Sequence, residues 1–501
     1  MAFIKPFHLG IKAPVVNISA VCRLLGWLLL IEAAFMVIPL ATSLIYGEND
    51  AMAFVESIAI TAGAGLLAIL CFRPRLANMG KREGFLLTAL VWVVFSAFGM
   101  LPLLIGPTPL TVSEGFFEAM SGFTTTGATV IGQVSTLTHG IQIWRCLMQW
   151  LGGMGIIMFT LAVLPKFNHS GGLMMFNAEV TGITHDKISP RISQTAKTLW
   201  MIYLILTIVL IFLLLLGPMN LFESICHAMS TISTGGYSTS DGSIGTWDDS
   251  YYTKIVITIF MFIGGINFGL LFATVHGGGL RTLWRNDIFR TYVYVILGMF
   301  ILFDIAIIVR DQFHDLQDIT IEPIFQIVST ITSTGYTVTN FESWGTTVLV
   351  LVFLLMFTGA CAGSTTGGAK LDRIRCVIVY TWHQLRMVVN PNEVHTVRVN
   401  GRVISRTIIG KIMSFIVIYM VTIFLSAILL TGMHVPLVDA FFSTFSCMGN
   451  NGLGAGITTS YGSSYDIIPD AGKWVLSIVM LIGRLEIFTI FVLFVPEFWR
   501  K

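Results

Sequence analysis

Charged side chains are scarce in this sequence, since Asp, Glu, Lys and Arg make up 11% of the 501 residues whereas 55% are hydrophobic. A soluble domain typically has about 25% charged residues, so this composition excludes a water-soluble globular protein. The apolar residues instead form runs close to the roughly 20 residues that a membrane-spanning helix needs. About ten predicted spans lie at 21–45, 53–72, 85–105, 142–165, 198–217, 252–275, 291–309, 346–362, 408–432 and 474–495.

Motifs for covalent chemistry and for tight cofactor binding are also absent. The seven cysteines have no CxxC spacing, which predicts neither disulfides nor a metal centre, and no HExxH, DDxxD-like or nucleophile motif occurs. The stretch FTGACAGSTTGGAK resembles a phosphate-binding loop, but Ala369 stands where that motif needs Lys, and neither Ser nor Thr follows Lys370. We therefore expect no enzyme activity, no tightly bound organic cofactor and no nucleic-acid partner.

Most of the lysines and arginines fall in six segments that lie on one side of the predicted spans. These segments are 1–23, 73–82, 166–197, 281–290, 370–411 and 500–501. By the positive-inside rule this side is the cytoplasm, and the first helix is predicted to be a retained anchor with a cytoplasmic N-terminus. The opposite loops are acidic, which would concentrate cations at a pore mouth, although ordinary solvated loops explain any single acid equally well.

An acidic residue followed seven positions later by Ser, and six positions after that by Gly, occurs four times. The four sets are Glu114, Ser121 and Gly127; Glu223, Ser230 and Gly236; Glu322, Ser329 and Gly335; and Asp439, Ser446 and Gly452. The repeat length suits a unit of two membrane helices and a re-entrant loop. Four such units in one chain predict a pore with fourfold pseudosymmetry.

Each unit consists of a spanning helix, a stretch of roughly ten residues that is too short to cross, a polar glycine segment and a second spanning helix. Non-helical backbone at membrane depth is tolerated only where protein buries it or a water-filled path runs past it. The polar segments supply carbonyl, hydroxyl and amide oxygens without a titratable group, as a filter for alkali cations requires. Small-residue helix packing is the simpler alternative.

These features predict an all-α polytopic membrane protein with four fused helix–pore-loop–helix repeats around a central pore, plus two N-terminal transmembrane helices. The expected N-terminal domain is 1–80, and the pore repeats are 81–190, 191–285, 286–400 and 401–501. Repeat 3 would also carry a glycine-rich break in its second spanning helix and the longest cytoplasmic loop.

The repeat pattern, GGMGI at 152–156, CAGSTTGG at 361–368 and the C-terminal GRLEIFTIFVLFVPEFWRK resemble the Trk/Ktr/HKT potassium transporter superfamily, specifically its TrkH-type subunits. The resemblance covers the whole chain. It implies potassium as the permeant ion, a multi-pass homodimer in the bacterial inner membrane, and a cytoplasmic TrkA-like ring of nucleotide-sensing subunits. The basic loop from Lys370 to Lys411 is the natural docking surface for that ring, and membrane lipid phosphates are the alternative partner.

Carried onto this sequence, the resemblance implies a K⁺ filter with three residues from each repeat. These are Thr125, Thr126 and Gly127; Thr234, Gly235 and Gly236; Ser333, Thr334 and Gly335; and Asn450, Asn451 and Gly452. In repeat 4, Gly449 offers a competing register, but only Gly452 keeps Asp439 and Ser446 in line with the other repeats. Because no repeat has the TVGYG strand of potassium channels, selectivity over sodium is expected to be weaker.

The resemblance also implies a gate beneath the filter, where a glycine-rich stretch breaks a predicted span. The gate residues are Gly363, Ser364, Thr365, Thr366, Gly367, Gly368, Lys370 and Arg484. A kinked helix without gating is the alternative for the loop. Arg484 lies mid-span, where a charge is costly, and we expect loop carbonyls around Gly363 to Gly367 to compensate it. Pairing with Glu32 or Asp304 is the alternative for Arg484.

The expected function is potassium uptake across the bacterial inner membrane through a gated, channel-like pore, regulated by a cytoplasmic nucleotide-binding subunit. A proton- or sodium-coupled potassium symporter is the alternative. Such a symporter would normally cluster ionisable residues at the midplane and show inverted twofold repeats.

Overall fold

The computed structural model describes residues 16–72, 80–155, 192–248, 250–309, 316–392, 396–458 and 464–500. Nearly all regular structure in these ranges is helical. The exception is a small antiparallel hairpin of strands Arg398–Val399 and Arg402–Val403, which lies in the predicted cytoplasmic loop. The predicted all-α architecture is therefore confirmed.

Three helices precede the first repeat: Ile18–Phe35, Val37–Tyr46 and Ala51–Cys71. The first and third cross where Gly26 meets Gly65. A Cβ atom at Gly26 would lie 2.7 Å from the main-chain oxygen of Gly65, and one at Gly65 would lie 2.9 Å from that of Gly26. The two glycines thus let the backbones approach closely, as small residues do between membrane helices.

The same order of a long helix, a short helix, an irregular segment and a second helix occurs four times. In repeat 1 the helices are Lys81–Gly99 with Leu101–Ile105, the short Val112–Phe123, and His139–Gly153. In repeat 2 they are Ile192–Leu215, the short Leu221–Ile232, and Tyr251–Gly264, followed by Phe268–Ala273, a π-helical turn Thr274–Gly278 and Gly279–Arg285. In repeat 3 they are Asp287–Val309, the short Leu316–Ile331, Thr346–Thr358 and Leu371–Val389. In repeat 4 they are Arg406–Gly432, the short Leu437–Met448, and Asp470–Arg484, followed by Phe488–Phe491, Val492–Phe494 and Pro496–Trp499. Single 3₁₀ turns lie at Val134–Thr136, Ser243–Trp247, Gly456–Thr458 and Tyr465–Ile467.

Six of the predicted spans are long apolar helices within the described ranges. They are Ile18–Tyr46, Ala51–Cys71, Arg82–Ile105, Ala196–Leu215, Asp287–Val309 and Arg406–Gly432. The spans predicted at 252–275 and 474–495 are instead pairs of helices bent by 99° and 105°. The span predicted at 346–362 ends at Thr358, and the one at 142–165 leaves the described residues after Gly155. Hydropathy does not register these breaks because the apolar composition continues through them.

In repeats 1 and 2 the leading acid of the sequence pattern caps the short helix. In repeat 1, Thr111 N–H donates to Glu114 Oε2 at 2.9 Å while the Thr111 hydroxyl accepts from Glu114 N–H. In repeat 2, Asn220 and Glu223 make the same reciprocal pair, with bonds of 2.9 and 2.8 Å. These capping boxes satisfy main-chain donors and place negative charge at the positive end of the helix dipole.

Buried lysines tie the short helices to neighbouring repeats at their outer ends. Lys473, in the second helix of repeat 4, lies 3.0 Å from Glu114 of repeat 1. Lys254, at the matching place in repeat 2, lies 3.5 Å from Glu322 of repeat 3. Burial raises the pKa of Glu114, but the Thr111 hydrogen bond and the Lys473 ammonium outweigh burial and hold it below its usual range. The Lys473–Glu114 pair therefore joins repeat 4 directly to repeat 1.

Lys473→Met is expected to lower the free energy of unfolding by about 2 kcal/mol, because Glu114 would lose its cation at a mostly buried position. Thermal unfolding of the full chain in detergent measures this change. Lys411→Met is the matched control, since Lys411 is exposed. Equal shifts in the two variants would contradict a stabilising role for the Lys473 pair.

Candidate functional site

The four polar segments 125–127, 234–236, 333–335 and 450–452 share one backbone conformation. Their first residues all adopt left-handed φ angles: Thr125 54°, Thr234 53°, Ser333 52° and Asn450 49°. Their glycines do so as well: Gly127 82°, Gly236 82°, Gly335 78° and Gly452 79°. Left-handed φ is unfavourable for Thr and Ser, whereas Asn tolerates it better. Because it recurs in all four segments, the surrounding structure must impose it.

Main-chain hydrogen bonds from the end of each short helix hold this conformation. The N–H of the middle residue donates to the carbonyl of the pattern Ser. These bonds are Thr126 to Ser121 at 2.9 Å, Gly235 to Ser230 at 2.9 Å, Thr334 to Ser329 at 2.9 Å and Asn451 to Ser446 at 2.8 Å. In repeats 1 and 3 the serine hydroxyl also donates to the carbonyl beyond the glycine, Ala128 at 2.6 Å and Tyr336 at 2.7 Å.

The four glycines form a closed ring with the carbonyls of neighbouring repeats. A Cβ atom on each glycine would strike the middle carbonyl oxygen of the next segment. The distances are 2.1 Å from Gly127 to Gly235, 1.8 Å from Gly236 to Thr334, 1.9 Å from Gly335 to Asn451 and 2.2 Å from Gly452 to Thr126. Because repeat 4 returns to repeat 1, the segments surround a single axis.

The fourth segment is in register with the others at Gly452. Gly449 instead ends the short helix of repeat 4 with φ −79°, which is ordinary right-handed geometry. The asparagines that replace Thr and Ser in this repeat reach their neighbours through side-chain amides. Asn450 Nδ2 donates to the Thr126 hydroxyl at 3.0 Å, and Asn451 Nδ2 donates to the Thr330 carbonyl at 2.7 Å.

The ring presents main-chain oxygens that other protein groups do not use. Among the described residues, the only carbonyl of the twelve polar-segment residues that accepts a hydrogen bond is that of Gly235. The four ring glycines line one open pocket, together with Arg145, Asp241 and residues that follow each glycine. Carbonyl oxygens arranged in this way can replace the hydration shell of an alkali cation.

The loop of residues 359–370, here called the repeat 3 loop, lies against three of the polar segments. The Thr365 hydroxyl contacts that of Thr234 at 3.2 Å, and Gly367 N–H donates to the Ser333 hydroxyl at 2.6 Å. A Cβ atom at Gly367 would lie 2.1 Å from the Gly449 carbonyl and 2.9 Å from Asn450 Cβ. The repeat 3 loop therefore packs so closely against segment 4 that Gly367 has no room for a side chain.

Hydrogen bonds within the repeat 3 loop and to its neighbours fix its shape. Lys370 Nζ donates to the carbonyl oxygen of Thr366, and the Ser364 hydroxyl bonds to that of Thr366 at 2.7 Å. Asn267, at the bend in repeat 2, donates to the Ala362 carbonyl at 2.6 Å, and Phe268 N–H donates to the Gly363 carbonyl at 3.0 Å. Gly363 and Gly368 have φ of 76° and 79°, which explains the glycines at both ends of the STT stretch.

Arg484 joins the repeat 3 loop to the first polar segment. Its guanidinium donates to the Thr365 carbonyl at 3.0 Å and to the Thr125 hydroxyl at 3.1 Å. It also donates to the carbonyls of Gly152 and Gly153 at 2.5 and 3.1 Å. The loop carbonyl was expected from the sequence, whereas the contacts with repeat 1 were not.

Neither acid considered for Arg484 is its ion-pair partner. Within the described part of the chain, both carboxylate oxygens of Glu32 lack a hydrogen-bond partner, as does Oδ1 of Asp304. The second helices of the four repeats end in LGGM, IGGI, FTGA and IGRL. Arg484 thus stands where repeats 1 to 3 have Gly153, Gly265 and Gly359.

Sequence reasoning missed two buried polar residues in the second helix of repeat 1, Arg145 and Gln149. Arg145 Nε pairs with Glu118 at 2.8 Å, and its guanidinium lies 4.1 Å from the ring centroid of Tyr237. Gln149 bonds to polar segment 2. Two polar residues four positions apart share one helix face, and that spacing within a predicted span was the available signal.

Comparisons with known proteins agree over nearly the whole chain. The family model TrkH, described as cation transport protein, matches residues 50–501. The chain is 34% identical to the Trk system potassium uptake protein TrkH of Salmonella typhimurium over 97% of this chain and 100% of that protein. It is 31% identical to TrkG of Escherichia coli over 97% of this chain and 99% of the relative. The crystal structure of the potassium transporter TrkH from Vibrio parahaemolyticus superposes with a TM-score of 0.87 at 32% identity, covering 97% of this chain and 100% of that one.

Gly127→Ser is expected to lower K⁺ permeation relative to Na⁺. The new side chain would push against the Gly235 carbonyl, which lies 2.1 Å from a Cβ at this position, and would distort the ring. Flux of the two ions into proteoliposomes gives the ratio. Gly298→Ser is the control, because a Cβ atom at Gly298 meets nothing within 4 Å and Gly298 does not line the pocket of the ring. An unchanged flux ratio in folded Gly127→Ser protein would count against the ring as the selective element.

Proposed function

This chain belongs to the TrkH family of cation transport proteins, as its motifs predicted, and we propose that it takes up potassium through a gated, channel-like pore. The observation that carries this proposal is the closed ring of four polar segments, in which each glycine lies against a carbonyl of the next repeat. The relatives named as potassium uptake proteins support the choice of ion.

The ring can select a cation even though none of its residues carries a titratable group. The twelve residues at 125–127, 234–236, 333–335 and 450–452 contribute main-chain, hydroxyl and amide oxygens. The four left-handed turns keep the main-chain oxygens free of helix hydrogen bonds, so they remain available to a dehydrated ion. Each repeat contributes only a short segment, which supports modest rather than strict discrimination against sodium.

The repeat 3 loop and Arg484 act as the gate in this proposal. The loop packs against polar segments 2, 3 and 4, and Arg484 bonds to Thr125 in segment 1. Together they touch all four segments and obstruct the path on the side away from the open pocket. A positive charge about 10 Å from a permeating cation, at an effective dielectric near 20, raises the energy of the cation by roughly 1.5 kcal/mol.

Regulation would enter through the cytoplasmic segment that follows the loop. The helix Leu371–Val389 begins directly after Lys370, so a force on this helix acts on the loop. Arg373 of the helix pairs with Glu486 at the bend in repeat 4. We infer that a TrkA-like nucleotide-sensing ring docks on the basic stretch from Lys370 to Lys411, with lipid phosphates as the alternative ligand.

The assembly proposed here is a homodimer in the bacterial inner membrane with its N-terminus in the cytoplasm. The excess of Lys and Arg in the segments assigned to the cytoplasm supports this orientation.

One observation favours the alternative of a proton-coupled potassium symporter. Glu32 is fully buried in the helix Ile18–Phe35, and neither of its carboxylate oxygens has a partner among the described residues. An ionisable residue within a membrane-spanning helix is a candidate for a proton pathway. An inward pH gradient should accelerate uptake if Glu32 couples proton entry to transport, and Glu32→Gln should abolish that acceleration while leaving downhill flux.

Transport by the purified full chain tests the main proposal. Radioactive rubidium uptake into proteoliposomes loaded with K⁺ should exceed uptake into protein-free vesicles. External K⁺ should compete more strongly than external Na⁺, and uptake should not depend on an imposed pH gradient. Folded protein that gives no uptake above the vesicle background, or that does not distinguish K⁺ from Na⁺, would refute the proposal.

Arg484→Gln is expected to increase resting rubidium flux by about tenfold, because the barrier of roughly 1.5 kcal/mol would be lost. The same vesicle assay measures the flux, and thermal unfolding confirms that the variant is folded. Arg484→Lys retains the charge but not the planar guanidinium, so its flux should remain closer to that of the parent. A stable Arg484→Gln variant with flux equal to or below the parent would rule out the barrier.

A further inference from the structure

Gln149 binds polar segment 2 from the neighbouring repeat. It lies in the second helix of repeat 1, and its side chain is fully buried. Its Nε2 donates to the Gly235 carbonyl at 2.6 Å. Its Oε1 accepts from the Ser230 hydroxyl at 2.7 Å and from Tyr237 N–H at 3.2 Å. One amide therefore contacts the last turn of the short helix, polar segment 2 and the residue that follows the segment.

The serine hydroxyl that holds this turn has a different hydrogen-bond partner in repeat 2 than in repeats 1 and 3. In repeats 1 and 3 the pattern Ser donates directly to the carbonyl beyond the glycine, across distances of 2.6 and 2.7 Å. In repeat 2, Ser230 donates to Gln149 instead. Tyr237 supplies the carbonyl that lies beyond the glycine in repeat 2, and this carbonyl accepts no bond from Ser230. It accepts instead from the Tyr336 hydroxyl of repeat 3 at 3.3 Å.

The amide also explains why the middle residue of segment 2 is glycine. A Cβ atom at Gly235 would lie 2.4 Å from Gln149 Cδ and 2.5 Å from Gln149 Oε1. The corresponding residues in the other segments are Thr126, Thr334 and Asn451, which all carry side chains. Gln149 thus occupies the space that a side chain fills in repeats 1, 3 and 4.

The three contacts require both a donor and an acceptor on one neutral group. Ser230 and Tyr237 present hydrogens, whereas Gly235 presents a carbonyl oxygen, and the Gln149 amide supplies an acceptor and a donor for them without bringing charge. The Gly235 oxygen is also the ring carbonyl that accepts a hydrogen bond within the described residues. If the ring is the filter, this bond leaves the Gly235 oxygen with less electron density for a bound cation than the other ring carbonyls.

We propose that Gln149 is a positioning residue that sets the cation preference of the ring by fixing polar segment 2 and moderating its Gly235 carbonyl. This inference rests on the proposed function of the ring as a potassium filter. If cavity size decides selectivity, loosening segment 2 lets the ring contract around the smaller Na⁺. If field strength decides it, an unmoderated carbonyl also favours the smaller ion. Both accounts predict that loss of the Gln149 bonds lowers the preference for K⁺ over Na⁺.

Gln149→Met preserves side-chain length and removes all three hydrogen bonds. We expect it to lower the ratio of K⁺ to Na⁺ flux by about fivefold, the change that corresponds to one net buried hydrogen bond. The ratio is measured in proteoliposomes that contain the full chain, with thermal unfolding recorded in parallel.

Gln142→Met is the matched control. Gln142 lies in the same helix, is also buried, and donates to the carbonyls of Val134 and Leu137 at 3.0 and 3.3 Å. The control therefore loses buried hydrogen bonds without touching a polar segment. Its stability should fall in a similar way, whereas its flux ratio should equal that of the parent.

Two results would overturn the inference: a folded Gln149→Met variant with the parent ratio, or a Gln142→Met variant whose ratio falls as far. If Gln149→Met does not fold, the flux ratio of Ser230→Ala tests the inference instead. This variant removes only the bond from Ser230 to the Gln149 amide. A lower ratio supports the inference, and an unchanged ratio overturns it. A parent protein without K⁺ preference would instead refute the proposed function, and the inference with it.

Discussion

The contact of each ring glycine with a carbonyl of the neighbouring repeat is the constraint on which the rest of the structure depends. At Gly236 a Cβ atom would lie 1.8 Å from the Thr334 oxygen, so even a methyl group is excluded. Such close packing demands that the repeats be held at fixed spacing. The short helices achieve this through the bonds to their serine carbonyls, and the buried Lys473 and Lys254 pairs fix adjacent repeats at the outer ends.

Local geometry explains why the repeats and their register could be predicted from the sequence. In repeats 1 and 2 the acid caps the first turn of the short helix, and in all four repeats the serine carbonyl accepts the bond that closes the turn at its end. The intervals between acid, Ser and Gly are therefore set by one helix and one turn. In repeat 4 these intervals favoured Gly452 over Gly449, and Gly452 has the left-handed φ of the other ring glycines.

Features that depend on distant contacts were not predictable in the same way. Hydropathy continued through the bends after Gly264 and Arg484, because each bend joins two apolar helices. Gln149 bonds to residues more than 80 positions away, and no local pattern identifies such partners. Arg484 was expected near the repeat 3 loop because a buried charge needs carbonyls, but its bonds to Gly152 and Gly153 depend on how the repeats assemble.

Arg484 also shows what fusion of four repeats into one polypeptide permits. A pore assembled from identical subunits repeats every lining side chain four times, so an arginine at this depth would bring three more of its kind into the same confined space. Their mutual repulsion would be severe in a medium of low dielectric. Here the equivalent positions are Gly153, Gly265 and Gly359, which leave room for a single guanidinium. Covalent linkage lets one copy carry a guanidinium that bonds to Thr125 and to the repeat 3 loop, while the other three copies keep glycine at this position.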